Sequence, residues 1–401
     1  MNSAVWFVEV RLGLRLCLVT FNSCLVSLAV ETMSSHFDKK KWKDLRHKSS
    51  VRVATLSMVV MLSALFVYLV VVPVVSKIGI TKMVQLSNGS LVLSQWLHQP
   101  EPIFLNVYIW NLTNAGDVTT GLDSPAFSQV GPYVYEELTE KIPVKYKKDS
   151  IVYMSRTNYQ FRKDLTEPAS LDDTVITLNA GLYKNNTLQG PYEENRGLED
   201  IHRLGNLMGL KNKTNLEIWQ PDSQCDKLYG SDTHIFPPLI QRTDSIAIYI
   251  SEICQVLSLY FEKEEYLQEF PVYKFTPSNR WLGSVANNTE NACYCLEGKD
   301  HFCQHNGVRD ISQCTKAPVI MSLPHFYLAD PEFHKYARGM RPDKDLHTSV
   351  LYVEPQSGLP VKAAKRVQFN MNLRRIEGFQ MVENISEGLF PLMWMEQSIL
   401  L

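Results

Sequence analysis

The stretch V-A-T-L-S-M-V-V-M-L-S-A-L-F-V-Y-L-V-V-V-P-V-V-S at residues 53–76 determines how the rest of the chain is interpreted. It contains no charged residue and lies between Arg52 and Lys77. A helix of this length is roughly 36 Å long at about 1.5 Å per residue, which exceeds the ~30 Å hydrocarbon core of a bilayer. The run also lacks the polar stripe that a helix of a soluble protein presents to water. We therefore predict a transmembrane helix at residues 53–76.

The charges before this run predict its orientation. Residues 1–52 carry nine Lys/Arg and four Asp/Glu, a net charge of +5, so the rest of the chain carries −7 of the total charge of −2. Because positive charge gathers on the cytosolic side of a membrane, we expect residues 1–52 in the cytosol. Residues 77–401 are then extracellular or lumenal. A solvated basic tail without topological meaning is the alternative interpretation of the charge.

A shorter apolar run, Leu16–Val30, has the length of the hydrophobic region of a signal peptide. No small-residue cleavage site follows it, and cleavage would place the basic segment in the lumen. We interpret residues 1–32 as an extension, with Met33 as an alternative start.

Strand patterns dominate residues 77–401. Apolar residues alternate through I-F-L-N-V-Y-I-W at 103–110 and through R-V-Q-F-N-M-N-L-R at 366–374, where the polar residues lie on the opposite face. Shorter candidates lie at 151–154 and 159–161, and P-Q-S-G at 355–358 predicts a hairpin connection.

Helical pattern is scarce in the same region. Ser251 is predicted to cap a short helix with four apolar residues on one face, namely Ile253, Val256, Leu257 and Tyr260. The overall balance predicts an α+β fold that is mainly antiparallel β, anchored by one N-terminal transmembrane helix. The lumenal region, at roughly 325 residues, is long enough for a sizeable core.

Six N-x-Ser/Thr sequons all follow the apolar run, which favours a glycosylated lumenal surface: Asn88, Asn111, Asn185, Asn212, Asn287 and Asn384. We expect one or two to be unoccupied, and Asn111 lies beside a predicted strand.

Eight cysteines divide into two groups. Cys17 and Cys24 precede the apolar run and are expected to be reduced, whereas six follow it within 90 residues: Cys225, Cys254, Cys293, Cys295, Cys303 and Cys314. In an oxidising lumen these six predict three disulfides, with fifteen possible pairings. A metal site built from these cysteines with His301 and His305 is the alternative, disfavoured because structural zinc sites prefer C-x₂₋₄-C spacings and reduced thiols.

The cysteine-rich stretch resembles the class B scavenger receptor family, and the resemblance extends from the apolar run to the C-terminus. Eight blocks carry it in order: Q-V-G-P-Y-V-Y at 129–135, F-P-P-L-I at 236–240, N-A-C-Y-C-L-E-G at 291–298, F-C at 302–303, G-V-R-D-I-S-Q-C at 307–314, S-L-P-H-F-Y-L-A-D-P at 322–331, L-Y-V-E-P-Q-S-G at 351–358 and A-K-R-V-Q-F-N at 364–370.

The resemblance implies an irregular antiparallel β-barrel with a hydrophobic tunnel and a helical bundle at the membrane-distal apex. It also implies the disulfide pairs Cys225–Cys293, Cys254–Cys314 and Cys295–Cys303. A dry tunnel is physically sensible for lipid, since each methylene kept from water contributes about 0.8 kcal/mol.

The chain departs from the family pattern in two places. Asn179 runs directly into Ala180, where the family has its apical helices, and the chain ends in M-E-Q-S-I-L-L where the family has a second span. The last six residues have the acidic-dileucine form of a cytosolic sorting signal. Because the predicted topology places Leu401 in the lumen, we interpret them instead as the stub of a segment leading towards the second span.

No catalytic signature competes with a receptor function. His325 is the one candidate base, and a histidine between apolar residues is more often a satisfied core side chain. The acidic balance after the apolar run argues against nucleic acid. We expect neither enzymatic activity nor a cofactor or metal.

The leading hypothesis is a membrane-anchored receptor that binds lipids, lipoproteins or lipid-bearing surfaces, most simply at the plasma membrane. The alternative is a lumenal trafficking receptor for a protein such as a lysosomal hydrolase, in endosomes or lysosomes. An anchored ectoenzyme is a weaker third.

Overall fold

A computed structural model describes residues 39–99, 101–178, 187–296, 300–378 and 382–400. The first part is a continuous helical run that comprises α1 (Lys39–Phe66), a π-helical turn (Val67–Val71) and α2 (Val72–Val84). Within it, residues Ser50–Val84 are apolar and long enough to cross a membrane. Pro73 lacks an amide hydrogen and its ring crowds the carbonyl of Leu69, which accounts for a wider turn just before it.

The remaining helices are short. They are α3 (Leu91–Leu97), α4 (Ala115–Thr120), α5 (Ser312–Thr315), α6 (Pro331–Tyr336) and α7 (Lys344–His347). Six 3₁₀ turns lie at Lys163–Leu165, Ile201–Arg203, Gln224–Asp226, Thr289–Tyr294, Asp300–Gln304 and Pro324–Phe326.

Thirteen strands form a single antiparallel sheet. They are β1 (Ile103–Leu112), β2 (Phe127–Tyr146), β3 (Ser150–Phe161), β4 (Thr187–Asn195), β5 (Leu207–Leu210), β6 (Ser245–Ile250), β7 (Gln255–Leu267), β8 (Phe270–Pro277), β9 (Val308–Asp310), β10 (Ile320–Ser322), β11 (Val350–Val353), β12 (Pro360–Leu373) and β13 (Gly388–Leu400). The main order is β5-β4-β3-β2-β1-β13-β12-β11-β8-β7-β6, and β9 and β10 branch from β12.

The sheet curls until its two edges nearly meet. Ser231 bridges both edges, because it pairs with Asn206 beside β5 and with Ile248 in β6. Its amide donates to the carbonyl of Ala247 at 2.9 Å, and its carbonyl accepts from the amide of Tyr249 at 2.8 Å. The predicted β-barrel with few helices is therefore confirmed.

One glycine is required by the close approach of β1 and β2. Gly131 has φ +128°, and a Cβ there would lie 2.6 Å from the carbonyl oxygen of Val107. The β1–β2 register shifts between Val107 and Ile109, which marks a bulge at this point. A side chain at residue 131 would therefore separate the two strands.

The predicted strands at 103–110 and 366–374 lie in β1 and β12, and the two short candidates at 151–154 and 159–161 join in the single strand β3. The hairpin at 355–358 connects β11 to β12. The polar face of β12 is not exposed, since Gln368 and Asn370 are fully buried.

The predicted helix after Ser251 is wrong. Residues Ser251–Cys254 form a turn, and β7 begins at Gln255 and pairs with β6. Cys254 has φ +50°, a left-handed conformation that ends any helix there. Burial alternates along β7, with Leu257 and Leu259 inside, so the apolar residues follow the two-residue period of a strand.

The C-terminal residues up to Leu400 are an ordered part of the sheet, and their interpretation as the start of a segment leading towards a second span stays a prediction. They belong to β13, which lies between β1 and β12 in the middle of the sheet. Glu396 accepts hydrogen bonds from Arg366 and Asn106 inside this sheet. Leu401 and the Asn179–Ala180 junction lie outside the described residues.

Candidate functional site

A mostly apolar cavity lies inside the barrel. Most of its wall is apolar and is formed by Leu105, Ile250, Ile253, Leu257, Val367 and Met395. A smaller polar part is formed by Glu137, Glu252, Ser349, Lys365, Arg366 and Gln397. Small-molecule sites likewise combine an apolar wall with a few placed polar groups.

Strand register explains one wall of the cavity. Gln397 on β13 lies opposite Leu105 on β1 and Lys365 on β12. Two residues further along each strand, on the same face of the sheet, Met395 lies opposite Val367. Lys365 thus faces inwards because it shares a face of β12 with Val367.

The facing wall comes from the β6–β7 hairpin. Ile250 ends β6, Leu257 lies on β7, and the turn between the strands supplies Glu252 and Ile253. A disulfide joins Cys254 in this turn to Cys314. The cross-link therefore fixes the segment that carries the cavity's acidic side chain.

Two polar contacts in the cavity wall involve Lys365, Glu252, Gln397 and Glu137. Lys365 Nζ lies 2.8 Å from Glu252 Oε1, and Gln397 Nε2 donates to Glu137 Oε2 at 2.5 Å. Burial opposes ionisation of Glu252, but the neighbouring Lys365 outweighs it and lowers the pKa of that carboxyl. Burial raises the pKa of Glu137, although Lys365 and Gln397 act in the opposite direction.

This arrangement suits an amphipathic molecule. The apolar wall would exclude water from an acyl chain, which favours binding by about 0.8 kcal/mol per methylene. The Lys365–Glu252 pair offers both a cation and an anion to a polar headgroup. No nucleophile and base pair lies among the lining residues named above.

Three disulfides join the six cysteines after the apolar helix as Cys225–Cys293, Cys254–Cys314 and Cys295–Cys303. These are the pairs that the family resemblance implies. The sulfur atoms proposed as alternative metal ligands are thus used in covalent bonds.

The sequon asparagines occupy different surroundings. Four are exposed: Asn88, Asn212, Asn287 and Asn384. Asn111 is half-buried at the end of β1, where its side chain accepts from the amide of Ile176 at 2.8 Å and donates to Ser128 at 3.4 Å. Asn185 lies outside the described residues. Glycosylation therefore remains a prediction.

His325 is a buried, fully bonded side chain. Its Nδ1 accepts from the amide of Arg341 at 3.0 Å, and its Nε2 lies 2.9 Å from Gln129 Oε1. The ring stacks on that of His347, with centroids 4.2 Å apart. Burial and the neighbouring His347 lower the pKa of His325 to about 3, so the ring is neutral. The core interpretation of His325 fits these contacts.

A second buried charged cluster lies beneath α3. Lys141 Nζ is 2.5 Å from Asp232 Oδ2 and 4.0 Å from the centre of the Trp96 ring. Tyr153 donates to Glu194 at 2.9 Å, and burial raises the pKa of that carboxyl well above its usual value. This cluster joins the segment after the apolar helix to the barrel.

Sequence reasoning missed the polar residues of the cavity. Lys365 had a detectable signal, because it falls on the apolar face of the alternating strand that contains Val367 and Phe369. Glu137 and Glu252 had none, since their partners are distant in sequence.

Comparison with known proteins finds one matching family model and several similar membrane proteins. The model of the CD36 family matches residues 54–184 and 181–401. Sensory neuron membrane protein 2 of Manduca sexta is 28% identical over 422 residues, covering 81% of this chain and 80% of the relative. Lysosome membrane protein 2 of Rattus norvegicus is 28% identical over 389 residues, covering 80% of each. Sensory neuron membrane protein 1 of Apis mellifera is 24% identical over 410 residues, covering 80% and 78%.

Proposed function

We propose that this chain, which belongs to the CD36 family of membrane receptors, binds lipid in the cavity of its barrel. The observation that carries the proposal is the mostly apolar cavity with one Lys–Glu pair in its wall. A fatty acid or a lipid with a small headgroup matches this distribution of apolar and charged surface. We propose binding without chemical conversion of the ligand, and passage of lipid through the barrel towards the bilayer.

Filling the cavity tests the proposal. Val367 lines the cavity, whereas Val361 lies on the same strand outside the lining. In a titration of purified full-length protein with a fluorescent fatty acid, Val367→Trp should weaken binding at least about tenfold, equivalent to about 1.4 kcal/mol. Val361→Trp is the matched control and should bind as the wild type does. Equal affinity of all three proteins would contradict the proposal.

We also propose that residues 1–52 are cytosolic and that residues 77–401 form one glycosylated lumenal or extracellular domain. The basic N-terminal flank and the apolar helix support this topology. The relatives named sensory neuron and lysosome membrane proteins leave both the plasma membrane and lysosomes as locations. In sealed secretory vesicles, protease added outside should spare residues 77–401, and glycosidase should lower their apparent mass. Digestion of this region would show that the topology is the opposite of the one proposed.

A further proposal concerns lipid capture. The family model matches in two segments that meet at residues 181–184, which supports a shortened apex at this point. If the apical helices of relatives capture ligand, this chain should take up fatty acid more slowly than a variant with those helices inserted after Asn179. Equal uptake by both forms would refute the proposal.

A further inference from the structure

A cluster of metal-ligating side chains lies apart from the cavity. His305, Asp330 and Glu332 each place one ligand atom within 4.8 Å of the others. His305 Nδ1 is 2.5 Å from Glu332 Oε1 and 3.5 Å from Asp330 Oδ2. His301 lies four residues before His305, and the centroids of the two rings are 5.1 Å apart. One imidazole and two carboxylates thus meet at one place, and a second imidazole lies beside the first.

Local structure fixes both halves of this cluster. His301 lies on the 3₁₀ turn Asp300–Gln304, which the Cys295–Cys303 disulfide anchors. Asp330 directly precedes α6, and both of its carboxylate oxygens accept from Asn306, at 3.0 Å from the backbone amide and at 2.9 Å from the side chain. The two segments also touch closely, since a Cβ on Gly307 would lie 2.3 Å from the Cα of Ala329. The two backbone segments that carry the cluster are therefore held together by contacts that do not depend on an ion.

We propose that His305, Asp330 and Glu332 bind a zinc ion, with His301 as the fourth ligand. Bond lengths of ~2.0–2.2 Å place neighbouring ligand atoms of a tetrahedral zinc site about 3.3 Å apart. The His305–Asp330 separation of 3.5 Å already fits this geometry. The His305–Glu332 pair must open by about 1 Å. The Glu332 side chain is 55% exposed and can move without disturbing the core.

The donor set selects the metal. Imidazole nitrogen suits zinc and its transition-metal neighbours, whereas calcium and magnesium prefer sites made of oxygen. The spacing His301-x-x-x-His305 is also one that structural zinc sites use. The sequence suggested a metal site in which His301 and His305 share ligation with cysteines. The cysteines form disulfides instead, and the carboxylates near the histidines lie 25 or more residues further along the chain. A bound ion would join the disulfide-anchored turn to α6.

The simpler alternative is a surface ion pair between His305 and Glu332. Such a pair needs neither Asp330 nor His301, and exposed pairs contribute only about 0–1 kcal/mol. Zinc binding and the effect of zinc on thermal unfolding separate the two interpretations.

The experiment uses the full chain in detergent with its disulfides intact. Cys17 and Cys24 are first blocked with N-ethylmaleimide, because free thiols also bind zinc. Zinc chloride is titrated in by calorimetry, and melting is followed by tryptophan fluorescence. The wild type should bind one zinc ion per chain and melt at a higher temperature with zinc. His305→Ala and Glu332→Gln should each lower the affinity for zinc at least about tenfold. Loss of a residue that only supports a metal ligand already costs about 10- to 100-fold in metal affinity.

The matched controls are His202→Ala and Glu290→Gln, which change an exposed imidazole and an exposed carboxylate outside the cluster. Both should bind zinc as the wild type does. Because Glu332 is exposed, Glu332→Gln should melt at the wild-type temperature without zinc, which separates loss of the site from misfolding. A wild type that takes up no zinc at the site, or a zinc response that survives in both cluster variants, would overturn the proposal. An equal response to calcium would also do so, because it would exclude the imidazole ligands.

Discussion

The stacked pair of buried histidines predicts a specific loss of stability in acid. His347 is 3% exposed, and its Nδ1 accepts from the amide of Asp343 at 2.8 Å. A proton on that nitrogen would remove the acceptor and place a charge 4.2 Å from the ring of His325. Burial, reinforced by Arg366 and only partly opposed by Asp343, lowers the pKa of His347 from 6.5 to about 4.

The sign and size of the effect follow from proton linkage. Below its ordinary pKa of 6.5 the unfolded chain takes up a proton at His347 that the folded chain does not, so acid favours unfolding. The stabilisation is complete above pH 6.5 and declines as the pH falls towards about 4. Between about pH 7.5 and pH 5 this one group lowers the free energy of unfolding by about 2 kcal/mol. His325, with a pKa of about 3, adds a similar loss.

The variant His347→Asn isolates this contribution. The asparagine side-chain oxygen can accept the Asp343 amide in place of Nδ1 but does not titrate. Urea unfolding of the full chain in detergent, followed by tryptophan fluorescence from about pH 7.5 to pH 5, should show a decline about 2 kcal/mol smaller than in the wild type. The exposed His202→Asn serves as control and should keep the wild-type slope. Parallel curves for His347→Asn and the wild type would refute the reasoning, whatever the stability at neutral pH.

Two further predictions concern the cross-link and the ion pair beside the cavity. Replacing Cys254 and Cys314 by Ala should lower the free energy of unfolding by about 4 kcal/mol, and replacing Cys295 and Cys303 should lower it by about 2.5 kcal/mol. The first disulfide closes a loop of 60 residues and the second a loop of 8, and a longer loop restricts the unfolded chain more. Equal losses in urea titrations would contradict this ranking. Lys365→Met should destabilise the protein at neutral pH, since Glu252 then loses its partner and burial alone raises its pKa. In the wild type the lowered pKa of Glu252 contributes stability above its ordinary pKa of 4.5, and this contribution is lost in acid. The free energies of unfolding of the wild type and Lys365→Met should therefore converge as the pH falls. A difference between them that stays constant with pH would exclude this role of Lys365.

The sequence predicted the features that depend on local pattern. Length and apolar composition identified the helix at 53–76, and alternation identified the strands that begin at Ile103 and end near Leu373. The same local reasoning failed at Gln255, where apolar residues fit a helical period and a strand period equally well over a few positions. Pairing with β6 decides between the two, and local pattern does not contain that pairing.

The cavity could not be predicted, because distant residues form it. Leu105 and Gln397 are neighbours only because β13 inserts between β1 and β12. Lys365 and Glu252 are 113 residues apart in sequence. The central strand at the C-terminal residues was missed for the same reason, since nothing in a short apolar ending reveals it.

Photo-crosslinking of a fatty acid tests the central claim most directly. The probe is palmitate with a diazirine on its acyl chain, added to the full-length protein in detergent, irradiated and mapped by peptide mass spectrometry. The account predicts labels on cavity residues from both walls, such as Ile253, Leu257, Val367 and Met395, and their loss with excess unlabelled palmitate. Labels confined to the apolar helix or the outer surface, or labels that unlabelled palmitate does not reduce, would contradict lipid binding in the barrel.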